Sequence, residues 1–72
     1  MTELKLLTTV ALLEDVPTMG LRRGQVGTVV ELLAPDVCEV EFIDEAGQTY
    51  AMTPIHASQL IRLLHQPGYQ AA

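Results

Sequence analysis

Hydrophobic and polar residues alternate most strictly over Val37-Cys38-Glu39-Val40-Glu41-Phe42-Ile43. A period of two places Cys38, Val40 and Phe42 on one side and Glu39 and Glu41 on the other, which predicts a half-buried β-strand. Upstream, Val26–Leu33 is rich in β-branched residues and predicts a second strand. Ala34-Pro35-Asp36 joins the two, since proline suits the first central position of a type I turn. Downstream, Asp44-Glu45-Ala46-Gly47 predicts a further hairpin loop with Gly47 in the left-handed position. A fourth strand follows over Gln48–Thr53 and Pro54 is expected to stop it. Pro54–Gln59 then predicts one turn of 3-10 helix, and Leu60–Leu64 a short last strand.

The N-terminal part is less regular. Leu4, Leu7 and Ala11 have helical spacing, whereas Thr8-Thr9-Val10 favours extended backbone. The reading adopted is a first strand over Thr8–Glu14 with residues 1–7 as a lead-in. Asp15–Gly20 predicts a loop, in which Pro17 fixes φ and Gly20 permits positive φ. In Leu21–Gly27, Gly24 makes a turn and Gly27 lets the following strand bend sharply.

Five short strands, a long first loop, tight central hairpins and a helical turn before the last strand predict an all-β chain. The order is that of an SH3-like small barrel of about five antiparallel strands. No window from Val26 to Thr53 avoids Gly, Pro or Asp turns long enough for an ordinary helix. Residues 1–64 are read as one domain and 65–72, with Pro67 and Gly68, as a C-terminal tail.

Size sharpens this expectation. At 72 residues the chain supports a single core. A core of that size seldom supplies more than about 3–5 kcal/mol without a staple or a partner surface. Cys38 is the sole cysteine, so no intrachain disulfide can act as the staple. Nine acidic against four basic residues give a net charge of -5. That balance disfavours general phosphate-backbone binding and attachment to an anionic membrane. The uncharged stretch Leu6–Leu13 is too short to span a bilayer. Met1-Thr2-Glu3 lacks the basic head of a signal peptide, so a bacterial-type cytoplasm is the expected location. Aromatics are confined to Phe42, Tyr50 and Tyr69, too few for a base-stacking platform or a proline-peptide groove.

Candidate chemistry is correspondingly thin. Gly24 and Gly27 beside Arg22 and Arg23 could cradle an anion, but no helix follows, and the bland reading as turn and bend is preferred. Arg22-Arg23 is the one basic cluster and the place where any nucleic-acid contact would start. His56, Ser58 and Asp44 supply the letters of a catalytic triad without a nucleophile elbow. Accordingly no catalytic residue is assigned, and His56 is read as a cap of the turn before the last strand. Cys38, His56 and His65 lack the close pairs of a zinc site, so no metal and no cofactor is expected. Cys38 is instead read as a small core residue.

Beyond composition, two runs carry a resemblance. They are Val10-Ala11-Leu12-Leu13-Glu14-Asp15-Val16-Pro17 and Gly20-Leu21-Arg22-Arg23-Gly24-Gln25-Val26-Gly27-Thr28-Val29-Val30-Glu31, continued by Glu39–Asp44 and Gly47–Ala51. Over about residues 8–64 the chain resembles a bacterial domain-of-unknown-function family, number 4926. The resemblance implies an SH3-like fold, a structural role for Pro17, Gly20, Gly24, Gly27 and Gly47, and no particular chemistry.

Apolar residues outnumber the inward positions. With Val40 and Phe42 inward, Ile43 falls on the glutamate face. With Val30 and Leu32 inward, Val29 and Leu33 fall outside beside Glu31. In the last strand either Leu60 and Leu64 or Ile61 and Leu63 must face away, and Leu63 is taken as the interface residue. Exposed aliphatics that cluster mark an interface. The expectation is therefore a non-enzymatic protein-interaction module, self-associating through Val29, Leu33, Ile43 and Leu63, with the acidic face of Glu31, Glu39 and Glu41 and with Arg22 and Arg23 setting register. A different, unidentified protein partner remains open. The alternatives are a nucleic-acid or ribosome-associated small barrel and a small-ligand binder with its site at a subunit seam.

Overall fold

A computed structural model describes residues 4–64. Five strands make one antiparallel sheet: β1 (Thr9–Leu12), β2 (Val26–Ala34), β3 (Val37–Ile43), β4 (Thr49–His56) and β5 (Leu60–Arg62). Their order across the sheet is β4-β3-β2-β1-β5. A 3-10 turn over Pro17–Met19 lies in the first loop, and another over Ala57–Gln59 precedes β5. The all-β class, the five strands and the turn before the last strand are those expected from the sequence.

The sheet does not close into a barrel. Among the described residues no ladder joins β4 to β5, so each leaves a free edge. Yet it must curl. A flat sheet of five strands would set its outer strands about 19 Å apart, at about 4.8 Å per neighbour. The four steps from His56 to Leu60 reach at most about 14 Å even when extended. The edges are therefore drawn together around the core without being hydrogen-bonded. The Leu13 N–H donates to the Gln59 carbonyl at 2.8 Å, which pins the connecting turn beside the end of β1.

The inward face is assembled in rows across the strands. One row runs Val10–Gly27–Phe42–Ala51, the next Val29–Val40–Thr53, and a third Cys38–Ile55, with Leu32 opposite Cys38 but half exposed at the sheet's end. Leu12 pairs with Leu60, and Leu21, held by the Val16–Leu21 bridge, joins the same core. Phe42 is the largest fully buried side chain. At Gly27 a Cβ would lie 2.6 Å from Val40 Cγ1 and 2.9 Å from the Glu41 carbonyl oxygen, so β2 and β3 approach more closely there than any side chain allows. Gly47 turns the β3–β4 hairpin at φ 83°. Gly20 and Gly24 also have positive φ, in the loop where Pro17 opens the 3-10 turn.

Three expectations need correction. First, Val29 is fully buried rather than outward. The β2–β3 register shifts between Val29 and Glu31, so Val30 is an extra residue and the alternation changes phase across it. Second, Pro54 does not stop β4, which continues to His56. Pro54 pairs with Glu39 on an edge strand, where its missing N–H deprives no neighbour of a hydrogen bond. Third, β1 and β5 are shorter than expected, ending at Leu12 and Arg62. The lead-in turns sharply at Leu7 (φ 67°), whose N–H donates to the Val29 carbonyl, and Leu4 packs on the core. Residues 65–72 lie outside the described residues.

Candidate functional site

Between the register shifts of β2 the outward face alternates with the core, and its composition changes from one end to the other. The pairs Val26↔Ala11 and Ala11↔Ile61 are in register, and Ile43 lies one step beyond the Gly27↔Phe42 pair, opposite Val26. Ile43, Val26, Ala11 and Ile61 thus form one row across β3, β2, β1 and β5. Val26, Ile43 and Ile61 are 47%, 42% and 49% exposed, and small Ala11 is shielded between them. The next row holds Met52, Glu41 and Thr28, where the Thr49 hydroxyl donates to Glu41 Oε2 at 2.5 Å. Beyond it Glu31 stands directly opposite Glu39. Like charges placed so are mutually destabilising. Arg22 and Arg23 lie in the loop leading into Val26. That loop is fixed by backbone contacts: the Arg22 N–H donates to Gln25 Oε1 and the Arg23 N–H to Asp15 Oδ1, leaving both guanidinium groups exposed.

A second feature is an open cleft of about 1140 Å³ between the β2–β3 hairpin and the β4–β5 connection. Leu32, Leu33, Leu60 and Ile61 give it apolar walls, and Asp36, His56 and Ser58 form its polar rim. Register explains the rim, because Val37↔His56 pairing sets the hairpin turn beside the end of β4. His56 Nε2 lies 2.9 Å from Asp36 Oδ2 and Nδ1 lies 2.8 Å from Ser58 Oγ. The Ser58 backbone N–H also reaches Nδ1, at 3.1 Å. A backbone N–H only donates, so Nδ1 is the acceptor nitrogen and the ring hydrogen is on Nε2, facing Asp36. Gln59 Oε1 accepts the His56 N–H in return, completing a reciprocal cap of the 3-10 turn. The Asp–His–Ser chain is thus accounted for by the turn that it holds.

Sequence reasoning set Asp44 with His56 and Ser58, whereas the fold brings Asp36. Asp44 instead accepts the Ala46 and Gln48 N–H groups in its own hairpin loop. His56 caps the turn, as expected. Cys38 is buried, 3.8 Å from the Ile55 carbonyl, and burial pushes its thiol pKa up. Cys38 and His56 both line the cleft, and His65 lies outside the described residues. Of the proposed interface residues, Ile43, Leu33, Arg22 and Arg23 are exposed, Leu63 is half-buried, and Val29 belongs to the core. Leu33 borders the cleft rather than the aliphatic row. Val26 was missed, and Ile61 was one of two outward alternatives for the last strand, which the structure settles by exposing it. Counting alternate residues back from a buried Val29 would have placed Val26 outward.

No helix among the described residues is long and apolar enough to cross a membrane. No curated protein and no solved structure matches the chain. A family model does, over residues 6–62, spanning β1 through β5 together with the arginine loop and the cleft. On that match the chain belongs to the family described as Domain of unknown function (DUF4926).

Proposed function

We propose that the chain is a non-enzymatic, cytoplasmic protein-interaction module that associates with itself through its outward sheet face. The observation that carries this reading is the aliphatic row Ile43–Val26–Ala11–Ile61, contributed by four strands. Three large aliphatic side chains aligned across a sheet are more than scattered surface residues, and flanking charges give such a patch the polar rim of an interface. His56 and Gln59 cap the Ala57–Gln59 turn reciprocally, which gives the histidine a structural role.

Sedimentation equilibrium on the intact chain tests the reading. The expected result is a mass that rises with concentration above the 7.9 kDa of one chain. Ile43→Glu should return the mass to that of a monomer while leaving the circular dichroism melt in place. A wild-type chain that stays monomeric to high micromolar concentration overturns the proposal.

A further inference from the structure

The outer strands β4 and β5 each leave a free edge, and such an edge is a template on which another chain's strand can add. The two edges differ in how they are protected. β5 spans three residues, and its Arg62 stands opposite buried Val10, so a charge occupies an inward position there. A short strand and an inward charge both discourage a further strand. β4 spans eight residues, Thr49–His56, and carries no Asp, Glu, Lys or Arg. Neither shortness nor charge protects it.

The ladder with β3 decides which backbone groups of β4 are open. The Ala57 N–H donates to the Asp36 carbonyl at 2.8 Å, in phase with the pairs Cys38↔Ile55, Val40↔Thr53 and Phe42↔Ala51. Bonded and non-bonded pairs alternate along an antiparallel ladder, so Met52, Pro54 and His56 turn their backbone groups to the free edge. Pro54 has no N–H to offer. The His56 N–H donates to Gln59 Oε1 at 3.2 Å, and Gln59 Nε2 donates in turn to Glu14 Oε1 at 3.1 Å. Towards the start of the strand, Phe42 faces Ala51 and Ile43 faces Thr49, so Tyr50 is an extra residue that interrupts the ladder. From Ala51 to His56, Met52 therefore holds the one N–H open to a new strand.

From this we infer that Pro54 and Gln59 guard the β4 edge, so that a strand of another chain does not add to the sheet there. The inference goes beyond the self-association proposed above and does not depend on it. A guarded edge confines contact between copies to the faces of the sheet, where an assembly can close instead of growing strand by strand.

Pro54→Thr tests the guard, alone and combined with Gln59→Ala. Threonine restores an N–H two residues from that of Met52, and the second change frees that of His56. After quiescent incubation at equal concentration, the sedimentable, thioflavin T-positive fraction of the double variant should exceed that of wild type by about tenfold or more. Pro54→Thr alone should show a smaller rise, and it decides the matter if circular dichroism shows the double variant unfolded. Pro35→Thr is the control, because Pro35 lies in the exposed turn between β2 and β3 and its removal opens no edge. A folded Pro54→Thr that stays as soluble as wild type overturns the inference, as does a Pro35→Thr that aggregates equally. Neither result touches self-association, and a monomeric wild type leaves the guard standing.

Discussion

Along β3, Cys38, Val40 and Phe42 are buried, whereas Glu39, Glu41 and Ile43, each one residue further on, look away from the core. The two faces are made from alternate residues of the same strands, yet they are constrained differently. Inward positions are fixed from two sides at once: Val40 meets Val29 on β2 and Thr53 on β4, and Gly27 has no room for a side chain. Outward positions repeat across the sheet without such closure, and some conflict, as Glu31 and Glu39 do. In a chain of 72 residues, most of what specifies the fold is therefore on one face. The residues left over on the other are free to specify a contact. Substitutions on the two faces should separate these roles.

The largest effect is expected at Val40. Val40→Asp places a charge with no partner in a fully buried site, at a cost of several kcal/mol that a core of this size cannot offset. Far-ultraviolet circular dichroism at 25 °C should show an unfolded chain. A cooperative melt like that of the wild type would refute the inward assignment of β3. The contrast is with Glu41, a charge one residue along that the strand already carries.

Gly27→Ala comes next, because it tests closeness rather than polarity. Its Cβ would have to displace a core side chain and a backbone carbonyl, an overpacking that costs about 1–3 kcal/mol. For a domain of this length that lowers the melting temperature by roughly 4–8 °C per kcal/mol. Gly47→Ala should cost about 1 kcal/mol for a different reason, since its Cβ would meet open space and the penalty lies in φ alone. If the two variants melt together, the tight β2–β3 approach is not a constraint on the fold.

Such closeness is what the sequence conceals, and its limits follow from where each signal resides. The β3 strand was legible because strict alternation is written locally, and Cys38, Val40 and Phe42 are core residues as the period of two requires. Val29 was misassigned because the bulge at Val30 belongs to the ladder with β3 and leaves no mark in β2 alone. Pro54 ended a strand on paper for a similar reason, since only the sheet order makes β4 an edge. Of the candidate site, Ile43 and the two arginines could be read, Ile61 only as one of two alternatives, and Val26 not at all. Asp36 reaches His56 across 20 residues through the Val37↔His56 register, so the wrong aspartate was chosen from spacing.

The smallest expected effect falls on folding, which makes it a test of the division between faces. Glu31→Lys replaces a like-charge pair opposite Glu39 with an attractive one. Cross-strand pairs of this kind are worth about 0.2–1 kcal/mol, so the isolated monomer should become slightly more stable to urea. The change lies two rows from Ile43, Val26 and Ile61, so association through the aliphatic row should be little altered. A dissociation constant that moves with Glu31 would extend the contact beyond that row. Urea midpoints at low concentration and dissociation constants from sedimentation, measured on the same sample, would set the two changes side by side.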